Sequence, residues 1–229
     1  MKIRITVAAT AVIAAGLLAA ASLPAAAVEA FSAQYQASAM GMQGDGQMSI
    51  TSQGGNRWQY SLTIKNQLVD LSQKTVFDEQ KGWLRPLSSA DLSRVLVKKK
   101  AVNANFDWSK SQATWTGDVK PERAGPVALK PGDMDALLVN LALVRDVAAG
   151  KPLSYRMVEN GNAKTMSYQV AGKEKITIGG QSRDATKVVR TAGNKQTIVW
   201  VVPNMPVPAR ILQREDGQDS IDLQLKAWQ

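Results

Sequence analysis

The 229-residue chain contains no histidine and no cysteine. Without histidine there is no imidazole general base, no triad built on one and no histidine-ligated metal. Without cysteine there are no disulfides, no thiolate zinc site and no lipid-attachment cysteine after the N-terminal apolar run. Aromatic residues make up only 6%. Enzymatic chemistry would fall to carboxylates and lysines, and no cofactor is expected.

The N-terminus carries Met1-Lys2-Ile-Arg4, an apolar run from Ile5 to Leu23, and then Pro24-Ala25-Ala26-Ala27. A short basic segment, an apolar segment and small residues before a cut are the pattern of a secretory signal peptide, here 1–27. The expectation is export to the periplasm of a Gram-negative bacterium. An uncleaved anchor would be expected to end on a basic flank instead of Ala-x-Ala. Without Lys2 and Arg4 the formal net charge falls from +9 to +7 over 28–229, read as a single antiparallel β domain.

From Phe31 onward the pattern is a meander of short strands. Phe31, Ala33, Tyr35, Ala37 and Ala39 alternate with polar residues, and Trp58, Tyr60, Leu62 and Ile64 share one face. Gly44-Asp45-Gly46 and Gly54-Gly55-Asn56 read as turns. Leu87 to Val95 has no clear period and is expected to hold a short helical turn or an irregular loop. Lys98-Lys99-Lys100 opens a strand that continues through Phe106 and Trp108. Pro121, Pro126 and Pro131 mark a surface connector. After Gly150 the hairpins resume, with Asn160-Gly161 a strong tight-turn signal and with strands expected over 165–171 and 174–178.

The one convincing helix is 133–149, with Asp133 expected to cap its first turn and Gly150 and Pro152 ending it. Met134, Leu137, Leu138, Leu141, Val144 and Ala148 form one apolar stripe, and Val139, Leu143 and Val147 a second. A helix apolar on most of its circumference must be covered on more than one side. The fold class expected is mainly β, a curved antiparallel sheet (half-barrel or flattened barrel) wrapped around this helix. The chain ends in a proline-studded corner, Pro203 to Pro208, and a hairpin turning at Asp216-Gly217. Its last strand places Ile221, Leu223 and Leu225 on one face.

Several of these segments together resemble the bacterial exported family known as domain of unknown function 3108. The residues that carry the resemblance are Phe31-x-Ala-x-Tyr35, Gly44-x-Gly46, Asp133-Met-Asp135-Ala-Leu-Leu, Trp200-Val-Val-Pro203, Pro206-Val-Pro208-Ala-Arg210-Ile and Asp216-Gly217. The family has no assigned activity, so the resemblance carries over no catalytic residue. In general look it is also similar to the LolA/LolB-like periplasmic half-barrels, which implies a cleft between sheet and helix.

Three groups of residues are candidates for a site. Trp83, Trp115, Met134, Leu138, Leu141, Met157 and Tyr168 could line an apolar cleft, although strand aromatics and helix leucines serve equally as core. Arg94, Lys98, Lys99 and Lys100 could meet anions such as lipid head groups, or could simply solvate a strand edge. Asp133, Asp135, Asp216, Asp219 and Asp222 are the acidic clusters, and a carboxylate-based hydrolase would need two of them facing one cleft. The reading that results is a non-catalytic binder of an amphipathic or lipidic envelope component. The alternative is a module that docks on another envelope protein, for which a filled interior is expected. Contact with a membrane surface is compatible with both; nucleic acid is not an expected partner, and no metal site is expected.

Overall fold

The computed structural model describes residues 28–39 and 41–229; the expected signal peptide, 1–27, lies outside them. Thirteen strands form one antiparallel sheet. The first half of the chain supplies β1 (Phe31–Ala39), β2 (Met42–Ser52), β3 (Arg57–Lys65), β4 (Val69–Gln80), β5 (Trp83–Val95), β6 (Lys98–Asp107), β7 (Gln112–Gly117) and the short β8 (Val127–Ala128). The second half supplies β11 (Gln169–Ile178), β12 (Gln181–Ala192), β13 (Lys195–Val201), β14 (Arg210–Glu215) and β15 (Gln218–Trp228). Between the halves lie α1 (Ala136–Ala148) and a separate hairpin of β9 (Ser154–Glu159) and β10 (Asn162–Ser167).

The strand order is β11-β12-β13-β14-β15-β1-β2-β3-β4-β5-β6-β7-β8. Every neighbouring pair is also consecutive in sequence except β15 and β1. The closing strand therefore joins two meanders, with Tyr35 opposite Leu225 and Ala37 opposite Leu223. The sheet curves without closing into a barrel, and α1 packs in its concavity. Leu138, Leu143 and Ala142 are completely buried there, with Tyr35, Tyr60, Phe77 and Leu223 among the sheet residues of the same core. A smaller cluster of Val102, Phe106, Ala113, Trp115, Leu129 and Val158 forms beside it.

The tight turns follow local chemistry. Asn160 and Gly161 (φ 48° and 68°), and Asp216 and Gly217 (φ 52° and 77°), adopt the paired left-handed conformations of a two-residue hairpin. The proline corner is pinned by the Tyr35 hydroxyl, which donates to the Pro208 carbonyl at 2.8 Å. Trp200 is buried beside this corner, with the Arg210 guanidinium 4.9 Å from its ring centroid and its Nε1 donating to Glu174 at 2.9 Å.

Five local expectations are corrected. Residues 87–95 are neither helical turn nor loop but the second half of the 13-residue β5, paired to β4 on one side and β6 on the other. Its partners, and not its own pattern, make it a strand. Gly44 and Gly46 lie inside β2; the turn precedes them at Gly41 (φ 75°). A Cβ on Gly44 would sit 2.2 Å from the Lys65 carbonyl oxygen, so close backbone approach, not turning, requires glycine there.

The helix begins later than expected, at Ala136, because Met134 is tied to β9 by Met134 N–H to Arg156 O (3.2 Å) and Val158 N–H to Met134 O (2.8 Å). Its cap is Asp135, which accepts from Leu138 N–H at 2.9 Å, while Asp133 forms an ion pair with Arg156. The strand expected over 165–171 is broken at Tyr168, where the chain leaves the small hairpin for the large sheet. The segment expected separately over 174–178 is the end of β11, which bulges between Val170 and Gly172.

Candidate functional site

A cavity of about 580 Å³ separates the concave sheet face from α1 and the β9–β10 hairpin. Strand alternation builds its apolar wall: Leu62, Ile64, Leu71 and Val102 come from the first meander, and Ile211, Ile221 and Leu223 from the second. Ala136, Val139 and Asn140 of α1 form the opposite side, with Met157, Met166 and Tyr168 completing it. Tyr168 is held edge-on to Tyr155, with ring centroids 6.4 Å apart.

The sheet register gives the cavity a direction. The β3–β4, β5–β6, β12–β13 and β14–β15 turns all fall at one end of the sheet, and the lining residues lie on the strand segments leading to that end. Polar groups gather there: Lys100, Lys164, Lys195, Asp91, Glu159, Asn160 and Gln213. Lys195 also meets Glu215 at 3.1 Å, so the rim carries both signs of charge.

Deeper in, Asp91, Glu159, Gln73 and Ala136 are shared with a second cavity of about 10 Å³, room for a single water, which is also lined by Thr75, Ser89, Trp115 and Asp135. Three carboxyls converge here. Burial pushes the Asp135 carboxyl up to about 7, against the hydrogen bonds from Thr75 and Leu138, with Glu159 and Asp91 raising it further. Burial and the neighbouring Asp91 raise Glu159, which Lys164 partly offsets. Burial raises Asp91, which Gln73 and Lys100 draw back.

The structure brings Met157, Tyr168 and Lys100 to the cavity wall. Met134 and Leu138 are buried in the core behind it, and Leu141 is half-buried against the same core. Trp115 is buried in the smaller cluster, edge-on to Phe106, and reaches only the small cavity. Trp83 lies on the β4–β5 turn at the opposite end of the sheet, half-exposed, with its ring against Gly132. Arg94, Lys98 and Lys99 are exposed on the β5–β6 hairpin beside the cavity mouth.

The acids singled out for hydrolysis do not share a cleft. Asp133 pairs with Arg156, Asp222 makes a two-point pair with Arg210 at 2.7 and 2.8 Å, and Asp219 pairs with Arg214. Asp135 opens only to a water-sized space. Sequence reasoning missed Asp91 and Glu159, the acids that do face the large cavity. The signal for Asp91 was alternation with Ser93 on a strand, legible only if 87–95 is recognised as one. Among the described residues no cluster of three or more acids is placed to hold a metal ion, and no helix is long and apolar enough to cross a membrane.

Residues 31–224 match the profile of a family described as a protein of unknown function, DUF3108. The chain belongs to that family. Comparison with curated proteins finds no match. Among solved structures, the DUF3108 chain is similar to a β-barrel-like protein of domain of unknown function DUF1849 from Brucella abortus, at 10% identity and a TM-score of 0.46, covering 87% of this chain and 96% of that one. It is also similar to MucB, at 9% identity and a TM-score of 0.34, covering 90% of this chain and 54% of MucB. This DUF3108 chain therefore spans about half the length of MucB.

Proposed function

We propose that this DUF3108 protein is a non-catalytic periplasmic binder of an amphipathic or lipidic envelope component, held in the space between sheet and helix. The observation that carries the reading is the cavity of about 580 Å³, walled in part by aliphatic residues and by Met157, Met166 and Tyr168, with lysines at its mouth and the acids Asp91 and Glu159 deeper in. That volume lies within the roughly 300–1,000 Å³ of small-molecule sites, and an apolar wall with a few placed polar groups is their usual chemistry. Flexible methionine side chains suit an acyl chain of variable shape.

The ligand's apolar part lies along Leu62, Ile64, Val139, Ile211 and Leu223. Its head meets groups of both signs, which favours a head group with both an anionic and a cationic or hydroxyl part: phosphate toward Lys100, Lys164 and Lys195 at the mouth, and donors toward the more deeply set Asp91 and Glu159. Met134, Leu138 and Leu141 act behind the wall, fixing the helix. The alternative, a protein-docking module without a ligand, is less well supported because it calls for a filled interior.

The test is native mass spectrometry of protein purified from envelopes of the cells that make it. A bound lipid-sized mass, released by mild denaturation, supports the reading. Protein that is always free of such a mass, and that takes up no fluorescent fatty acid or lysophospholipid, overturns it.

A further inference from the structure

The tip of the β5–β6 hairpin breaks the pattern of its neighbours. Two other turns at the same end of the sheet use Gly193-Asn194 and Asp216-Gly217, residues suited to water and to left-handed backbone. The β5–β6 turn is Leu96-Val97, with Leu96 57% and Val97 96% exposed. Leu96 has φ 54°, a conformation that leucine seldom adopts. Leu92, 38% exposed on the same hairpin, adds an apolar side chain on the outer face of the sheet, between the inward Asp91 and Ser93.

Cations bracket this tip. Val95 pairs with Lys98, Arg94 with Lys99 and Ser93 with Lys100, and no acid lies between Arg94 and Lys100. None of these four cations is in an ion pair among the described residues. The acids nearby are Asp91 on β5, which Lys100 attracts, Asp70, opposite Arg94 on β4, and Asp118, whose carboxylate accepts from Ala101 N–H at 2.7 Å. β6 pairs with β7 only from Val102 onward, so Lys98–Lys100 form a free edge. The tip is nevertheless held in place, because Leu96 N–H donates to the Leu68 carbonyl at 2.7 Å.

Lysines on a free edge can serve only to prevent pairing with another sheet. That account leaves the apolar tip unexplained, since exposed leucine and valine work against it. An apolar wedge with cations set just behind it is complementary to one surface, a bilayer with anionic head groups above hydrocarbon.

We propose that the Leu96-Val97 tip inserts into the interface of an anionic phospholipid bilayer, with Arg94, Lys98, Lys99 and Lys100 on the head groups. This docking is independent of whether the cavity is filled. It places the cavity mouth, at the same end of the sheet, against the bilayer from which an amphipathic ligand could enter.

The test uses the protein as processed by its host, sedimented with vesicles of phosphatidylglycerol and phosphatidylethanolamine or of phosphatidylcholine alone. The expected result is partition onto the anionic vesicles only, weakening as salt rises. Each cation near the surface contributes about fivefold, so replacing Lys98 and Lys99, which lie outside the cavity lining, with glutamine together lowers partition roughly 25-fold. Leu96→Ser with Val97→Ser lowers it at least about tenfold at unchanged charge. A Val97→Cys variant carries the chain's sole thiol; a polarity-sensitive fluorophore on it shifts to the blue on the anionic vesicles.

The proposal fails if the parent protein does not partition, if the serine variant partitions as the parent does, or if the label stays in water. A tip-dependent dimer formed without vesicles would also overturn it, by naming a second copy as the occupant. Because these variants leave the cavity's apolar wall intact, fatty-acid uptake measured on the same samples separates failure of docking from failure of the binding reading.

Discussion

Asp135 offers a quantitative test of the interior. The residue is 6% exposed, and its carboxyl caps α1 through Leu138 N–H and accepts from the Thr75 hydroxyl. Burial raises it from 3.8 to about 7. Below 3.8 both folded and unfolded chains hold the proton, and the group contributes nothing to the pH dependence. Between 3.8 and about 7 only the folded state holds it, so stability falls as pH rises, by about 1.4 kcal/mol per pH unit. Over that interval the loss reaches roughly 4 kcal/mol, an upper figure because a folded chain can relax around the charge. Above 7 the penalty stays constant.

Asp135→Asn removes the titration while keeping a side chain that caps helices well. The expected result is a variant close to the parent in stability near pH 4 and about 2–4 kcal/mol more stable near pH 8. Denaturant unfolding of both proteins across that range measures the difference directly. A difference that does not change with pH, or one that favours the parent at high pH, would refute the assignment of Asp135 as a buried acid holding its proton.

Other substitutions probe the frame around the site. Leu143→Ala, at a completely buried position on α1, should cost about 2–5 kcal/mol in thermal or denaturant unfolding. Gly44→Ala should cost at least about 2 kcal/mol because its Cβ meets backbone, whereas Gly54→Ala, with open space around it, should cost only the roughly 1 kcal/mol of its left-handed conformation. Tyr35→Phe should cost about 1–2 kcal/mol by orphaning the Pro208 carbonyl at the corner, read as a lower unfolding midpoint without a change in slope.

What the sequence made legible depended on whether the deciding chemistry was local. Asn160-Gly161 and Asp216-Gly217 announce their turns because left-handed backbone is a property of the dipeptide. Ile221, Leu223 and Leu225 announce their face because alternation is a property of the strand. Residues 87–95 were illegible because Ser88, Ser89 and Asp91 become a strand only through β4 and β6. Gly44 was misread because the reason for it, the Lys65 carbonyl, lies across the sheet. Asp133 and Asp135 are both plausible caps on paper, and the attachment of Met134 to β9 decides between them. Of the site, Met157 and Tyr168 were visible as a flexible apolar and an aromatic side chain, while the inward acids Asp91 and Glu159 were not, since neither position reads as buried in sequence. The whole cavity depends on how far the sheet stands off the helix, which no local pattern encodes.

The central claim is that this space accepts an apolar chain. Leu71 and Met166 are half-buried and line it, so tryptophan at either position extends into open volume instead of displacing core. Titration of a fluorescent fatty acid into the parent protein, Leu71→Trp and Met166→Trp measures the claim most directly. The account predicts saturable binding by the parent and at least about a tenfold weakening in each filled variant, with unfolding midpoints unchanged. Equal binding by all three proteins, or none by the parent, would contradict it.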